Sequence, residues 1–207
     1  MFESSRAHHP HYYSPFLAHL LEIEIKLRLT TLAAAKRLLV QQGFAVTVPR
    51  HLERNLLLDT TPATLRPAGL VLRVRQANGE AIMTFKGKGS IDGRHKVREE
   101  LEVGTTNLTS TLEILGRLGY APTFRYDKYR TVFARSRERG QAMVDETPIG
   151  PFLELEGPAA WIDRMAKRLG FCENDYITTS YGALWKAHLK ASGAPFSDFI
   201  FPPRRKA

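Results

Sequence analysis

The residues able to do chemistry in this 207-residue chain recur two apart. Glu22, Glu24 and Lys26 alternate with Leu21, Ile23, Ile25 and Leu27. The spacing returns in Leu72-Arg73-Val74-Arg75, in Thr84-Phe85-Lys86-Gly87-Lys88 and in Arg98-Glu99-Glu100-Leu101-Glu102. It returns again in Lys128-Tyr129-Arg130 and in Leu153-Glu154-Leu155-Glu156. Residues two apart on a strand share a face, so these segments read as strands with charge gathered on one side. One such strand is ordinary, because an antiparallel sheet often keeps one face in water. Six of them, built from Arg, Lys and Glu rather than Thr, Ser and Gln, are not. Their aliphatic faces need helices to cover them, and their charged faces then turn toward one another. The pattern predicts an α+β fold: a closed or nearly closed antiparallel β-barrel, polar face inward, helices outside.

The proposed lining carries eight cations, Lys26, Arg73, Arg75, Lys86, Lys88, Arg98, Lys128 and Arg130, against seven anions, Glu22, Glu24, Glu100, Glu102, Asp145, Glu154 and Glu156. Enclosed charges are costly unless each finds a partner. A polyanion satisfies the cations, with arginines forking onto phosphate oxygens and lysines acting as point charges. Mg²⁺ or Mn²⁺, which prefer oxygen ligands, suit the surplus carboxylates. A metal-bound small-molecule triphosphate meets both needs at once. The chain contains no Walker-type glycine loop, no Gly-x-Gly-x-x-Gly unit and no Gly-x-Ser-x-Gly elbow.

Further elements must position these strands. Leu21–Leu29, Leu52–Asp59, Gly69–Gln76, Ala81–Lys88, Lys96–Val103, Phe124–Ala134, Gln141–Asp145 and Phe152–Glu156 read as strands, with Asn78-Gly79 as a hairpin turn. Helices are expected at Thr31–Gln42, at Ser110–Leu118 with Ser110 and Glu113 as a capping box, from Pro158 to Gly170, and at Ser180–Lys190. Three helices end in glycine plus an aromatic, Gly43-Phe44, Gly119-Tyr120 and Gly170-Phe171, which reads as shared helix-stop chemistry or as a duplicated unit. Residues 1–19, with His8, His9 and His11, read as a flexible extension, 20–201 as one domain and 202–207 as a loose tail.

The net charge of +9 favours anionic partners. The acidic residues are as patterned as the basic ones, which argues against a nucleic-acid surface. No segment has the ~18 consecutive apolar residues of a membrane span, and the start does not read as a secretory signal. A soluble cytoplasmic protein is the expectation, and a homodimer is compatible with the sequence. The single cysteine, Cys172, excludes an internal disulfide and is expected to be a packed, inert thiol.

In order along the chain, these motifs resemble the CYTH superfamily, the triphosphate tunnel metalloenzymes. Glu22-x-Glu24-x-Lys26 resembles its opening motif, Leu72-Arg73-Val74-Arg75 its Leu-Arg-x-Arg strand and Thr84-Phe85-Lys86-Gly87 its Thr-x-Lys-Gly strand. Arg98-x-Glu100-x-Glu102, Lys128-Tyr129-Arg130, and Asp145 followed by Gly150-Pro151-Phe152-Leu153-Glu154-Leu155-Glu156 are similar to the remaining three. The resemblance covers roughly residues 20–190. It implies an eight-stranded antiparallel tunnel in which Arg73, Arg75, Lys86, Lys128 and Arg130 grip a triphosphate. It implies that Glu22, Glu24, Asp145, Glu154 and Glu156 hold one or two metal ions, with Lys26 beside the attacking water or the phosphate chain. Lys26 and Glu24 are the candidate catalytic pair.

The implied activity is metal-dependent hydrolysis of inorganic triphosphate or of a nucleoside or thiamine triphosphate. A class IV adenylate cyclase and a non-catalytic polyphosphate-binding module are the alternatives. Some triphosphatases of the family pair the early lysine with a second-strand tyrosine, which Asn55-Leu56-Leu57-Leu58-Asp59 lacks. The His-Phe element of the characterised cyclases is also missing. Tyr126, Tyr129 and Tyr181 are not placed by sequence alone.

Overall fold

A computed structural model describes residues 21–202. The expected extension at 1–19, and 203–207 of the expected tail, lie outside the described residues. Nine strands run β1 (Leu21–Arg28), β2 (Ala45–Asp59), β3 (Val71–Ala77), β4 (Glu80–Lys86), β5 (Ser90–Asp92), β6 (His95–Thr105), β7 (Ala121–Ala134), β8 (Gln141–Thr147) and β9 (Gly150–Glu156). They form one antiparallel sheet in the order β1-β9-β8-β7-β2-β3-β4-β6-β5, and β1 also pairs with β6. That last pairing closes the sheet. Because β5 continues along β6 where β4 stops, the barrel has eight staves, as expected.

Two irregularities hid strand ends from sequence reading. β2 begins at Ala45 rather than Leu52, because register shifts between Val46 and Val48 and between Val48 and His51 break the alternation. Pro49 sits in the second shift, where bulged backbone tolerates the missing donor. Between β4 and β5, Lys86 lies opposite Glu100 and Ser90 opposite Val97, so four steps on one side meet three on the other. The extra residue is a bulge in Gly87-Lys88-Gly89.

Four helices pack outside: α1 (Leu32–Gln41), α2 (Leu108–Arg117), α3 (Ala159–Arg168) and α4 (Tyr181–Ser192). Thr31 and Ser180 cap α1 and α4 through their hydroxyls. The capping box expected at Ser110 is corrected. Asn107 is the cap, its side chain accepting from the Ser110 N–H at 2.9 Å, so Ser110 already lies inside the first turn.

Helices α1, α2 and α3 stop alike. Gly43, Gly119 and Gly170 have φ of 81°, 89° and 85°, a left-handed turn that glycine adopts without Cβ strain. The next N–H then reaches back: Phe44 to the Leu39 carbonyl at 3.0 Å, Tyr120 to Leu115 at 2.9 Å and Phe171 to Ala166 at 3.0 Å. Helix-stop chemistry accounts for the echo. Phe44 and Phe171 pack with α1, α3 and the outer faces of β1, β8 and β9; Tyr120 packs with Leu115 of α2 on Leu58 and Val74. After Phe171 the chain turns outward, so Cys172 is exposed and not the packed thiol expected.

The chain around α4 is stitched to the barrel. Ile177 exchanges backbone hydrogen bonds with Lys26 at 2.9 and 2.8 Å, and Phe199 bridges Arg125 and Asp127 of β7, both at 2.9 Å. Phe152, Tyr181 and Phe199 form a buried cluster there with Phe124 and Tyr126. Thus α4 lies across one end of the barrel. No described helix is long and apolar enough to cross a membrane.

Helix α3 docks through Trp161, whose indole N–H donates to Glu138 and whose ring lies on Gly140. A Cβ at Gly140 would meet the ring at 2.3 Å. Gly140→Ala is therefore expected to destabilise the fold by about 1–3 kcal/mol. In urea unfolding this appears as a lower midpoint with unchanged slope; an unchanged midpoint contradicts the docking.

Candidate active site

The barrel encloses a cavity of about 440 Å³. Its lining carries eight basic side chains, Lys26, Arg73, Arg75, Lys86, Lys96, Arg98, Lys128 and Arg130, and eight acidic ones, Glu22, Glu24, Glu53, Glu80, Glu100, Glu102, Glu154 and Glu156. Strand register sets most of them against opposite charge. Glu22 faces Arg98, Glu24 faces Lys96, Lys26 faces Glu154, Glu53 faces Lys128, Lys86 faces Glu100 and Arg130 faces Asp145. Across β1 and β9, however, Glu24 lies directly opposite Glu156. Like charges in that position repel unless a cation intervenes.

The pairs join into a network. Lys26 Nζ contacts Glu24 at 3.0 Å and Glu154 at 3.5 Å, and Lys96 also reaches Glu24. Lys86 bridges Glu22 at 2.8 Å and Glu100 at 3.1 Å. Arg73 donates to Thr84 and Glu102, both at 3.1 Å, while Thr84 donates to Glu102 at 2.7 Å. Asp145 accepts from Lys128 at 2.9 Å, from Arg130 Nε and Nη2 at 2.7 Å each, and from the Tyr181 hydroxyl at 2.9 Å. The Tyr181 ring lies 5.3 and 5.2 Å from the ammonium groups of Lys26 and Lys128.

Thirteen of the fifteen residues expected on the inner face line the cavity: Glu22, Glu24, Lys26, Arg73, Arg75, Lys86, Arg98, Glu100, Glu102, Lys128, Arg130, Glu154 and Glu156. Two do not. Lys88 is exposed, because the bulge after β4 ends the alternation that seemed to align it with Lys86. Asp145 is fully buried beneath the lining, its oxygens engaged by Lys128, Arg130 and Tyr181. That arrangement suits a group that holds two cavity-lining cations in place better than one free to ligate a metal.

Sequence reading missed Lys96, His51, Glu53, Glu80, Tyr126 and Tyr181 as lining residues. Lys96 lies two before Arg98 and Tyr126 two before Lys128, so the same period already contained both. Glu53 was obscured by the aliphatic run that follows it. Nothing local marks Tyr181, which arrives from a helix. Tyr126 and not a second-strand tyrosine brings a hydroxyl to Arg73, accepting its hydrogen bond at 3.3 Å.

The network is incomplete in a telling way. Among the described residues, Nε of Arg73, of Arg75 and of Arg98 has no hydrogen-bond partner although buried, and neither has Oε2 of Glu53 nor Oδ1 of Asn55. A buried donor left unmade costs about 1–3 kcal/mol, or more when charged.

Burial disfavours the charged form of a carboxylate, and its neighbours decide the outcome. For Glu24 the burial effect is overcome by Lys26, Lys96 and Lys86, which hold it well below the usual range despite nearby Glu154. For Glu154, Lys128, Arg130 and Lys26 do the same. Burial would lower Lys26, but Glu24 and Glu154 outweigh it and keep the ammonium charged. Glu156 goes the other way: burial, then Glu22, Glu24 and Glu100, push it up to about 7 against the pull of Arg130.

No three His, Cys, Asp or Glu side chains among the described residues form a ready-made metal cage. Glu156 nonetheless makes no ion pair among them and sits amid like charge, the electrostatic setting that a hard divalent cation relieves. Glu24 and Glu156, with Glu22 and Glu154 beside them, fit such an ion once their lysine contacts are exchanged.

A folded-state pKa above the unfolded value means that the folded protein binds the extra proton. The Glu156 contribution is therefore fully present below its ordinary value of 4.5 and lost as pH rises through about 7. Thermal unfolding of the metal-free protein is expected to show Glu156→Gln flattening the decline in Tm across that window. Parallel wild-type and variant profiles would contradict this environment for Glu156.

The sequence matches the CYTH domain family over residues 20–181. No curated protein matches the chain. Among solved structures, a Vibrio parahaemolyticus protein described as a candidate adenylate cyclase is similar at 20% identity and TM-score 0.72, covering 81% of this chain and 98% of that one. A Pyrococcus horikoshii OT3 protein aligns at 23% identity and TM-score 0.66, covering 79% and 98%. A Hippeastrum protein, described as a candidate adenylyl cyclase revealing a dominant triphosphatase activity, aligns at 20% identity and TM-score 0.58, covering 84% and 97%. At these identities the structures attest the fold, while the match to more than half of the sequence identifies the family: the chain belongs to the CYTH domain family.

Proposed function

We propose that this protein is a metal-dependent triphosphatase that releases the terminal phosphoryl group of a triphosphate held in the barrel. CYTH family members are enzymes of triphosphatase or adenylate cyclase-like type and are generally metal-dependent. The observation that carries the reading is the set of six basic side chains, Arg73, Arg75, Lys86, Arg98, Lys128 and Arg130, on the wall of one enclosure. Phosphate oxygens are the acceptors that such a set matches, and a triphosphate supplies enough of them to span several strands.

Each residue's part follows from its contacts. Arg73, Arg75, Lys86, Arg98, Lys128 and Arg130 bind and orient the phosphate chain, and their fixed positive charge stabilises a loose phosphoryl-transfer transition state. Asp145 and Tyr181 keep Lys128 and Arg130 aimed. Lys26 remains protonated beside Glu24 and Glu154 and so acts as a charge, not as a base. Tyr181 likewise keeps its proton: burial raises its pKa, and Asp145 and Glu154 reinforce this. Glu22, Glu24, Glu154 and Glu156 are the side chains that would hold Mg²⁺ or Mn²⁺. The bound ion would lower the pKa of a water and offset charge on the terminal phosphoryl group. The walls and α4 limit competing water.

With Mg²⁺ or Mn²⁺ and tripolyphosphate, ATP or thiamine triphosphate, the expected product is orthophosphate. Cyclic AMP with pyrophosphate from ATP would replace the reading with cyclisation, and tight binding without turnover would replace both with a binding module. Arg73→Ala is expected to lower kcat/KM on the order of 10²-fold. Glu24→Gln should abolish metal-dependent turnover while cooperative unfolding persists; wild-type turnover in this variant would remove Glu24 from the metal site.

A further inference from the structure

Strand β6 is only partly paired. On one side β4 and then β5 run along it between Thr105 and His95. On the other side β1 pairs with it only from Glu99 to Lys96. Among the described residues, Leu101–Thr105 therefore has a bare edge on the β1 side. Such an edge presents a row of N–H and C=O groups ready to pair with another strand. The outward side chains are uncovered as well: Leu101 is 46% exposed and Val103 52%. On the inner side the wall is open past Glu100, whose side chain is 16% exposed against 38% for Glu102. A Cβ at Gly104 would meet nothing within 4 Å.

The chain itself leads into this place. β1 enters the sheet at Leu21, opposite Glu99 and antiparallel to β6, so the residues before Leu21 arrive where the bare edge begins. The Tyr181 ring of α4 meets Lys26, further along β1, so they arrive at the rim away from α4. Continuing the register would pair Leu20 with Glu100, His19 with Leu101, Ala18 with Glu102, Leu17 with Val103 and Phe16 with Gly104. The alternation of β1 would continue with it. Leu17 and His19 would then fall on the outer face, against Val103 and Leu101. Phe16 would fall on the inner face across from Gly104, where an aromatic ring fills the space that a strand glycine leaves. Pro15 would come at the first position of the lengthened strand, where a missing N–H is tolerated.

A second chain is the other way to fill an edge, but the attached segment has two advantages. It is joined at Leu21, so no loop has to close and no association entropy opposes it. Its register is already set by the Leu21–Glu99 pair, and a slip by one residue would turn Leu17 inward. We propose that Phe16–Leu20 docks on the bare edge of β6 as a continuation of β1. The segment completes the barrel wall beside Glu100 and Glu102, at the end opposite α4.

The test is residue-resolved hydrogen exchange on the 207-residue chain and on its Phe16→Asp/Leu17→Asp double variant. Both substitutions lie ahead of every described strand and leave the packing of the barrel untouched. In the wild type, the amides of Leu101–Thr105 that point away from β4 should be protected. The variant should speed their exchange about tenfold or more, while the amides bonded to β4 stay slow in both proteins. Fast exchange of the amides pointing away from β4 in the wild type, or protection that the variant leaves unchanged, overturns the proposal. Protection that disappears on dilution as light scattering shows a dimer dissociating also overturns it, because a second copy then holds the edge.

Discussion

Closure of the sheet by β1 against β6 is the constraint on which the rest of this structure depends. An open sheet leaves its charged face in water, where ion pairs contribute little. A closed one puts the same face in an enclosure, where an unpaired charge is costly. The inward positions obey that rule. Lys26 sits against Glu154, Lys86 against Glu100 and Glu53 against Lys128, each fixed by strand register rather than by flexible reach. Asp145, fully buried, accepts hydrogen bonds from two cations and a phenol.

Within that rule the defects are informative. The lining is balanced in number yet unbalanced in place. Glu156 faces Glu24 across β1 and β9. That is the place in the lining where like charges meet and a cation relieves the repulsion. Lys26 and Glu24 stabilise each other as an ion pair, whereas burial and the like charges of Glu22, Glu24 and Glu100 raise the Glu156 carboxyl. Tyr181 ties the network to α4, so the helix that covers one end also holds the cations beneath it.

Most of the barrel was legible because strand period two and charge coincide in the sequence. Lys88 and Lys96 show where that reading stops. By alternation Lys88 belonged inside with Lys86, but one inserted residue between paired strands reverses which way the following side chains point. Lys96 was within the same period and merely overlooked. Ser110 looked like a helix cap, yet Asn107 reaches the orphan donor first, a competition that local sequence does not decide. The start of β2 was lost at Pro49, where a bulge keeps the strand going after the alternation has failed.

By itself the sequence determined which residues share a face, that the charged faces outnumber what a solvated sheet would need, and which family the chain resembles. Those properties are set by neighbours two to four residues apart, and local geometry transmits them faithfully. Only the tertiary structure decided which charge meets which. Glu24 against Glu156 and Tyr181 between Lys26 and Lys128 join residues from distant strands and helices. Their juxtaposition depends on the shear of a closed barrel and on its bulges, and no local spacing encodes either.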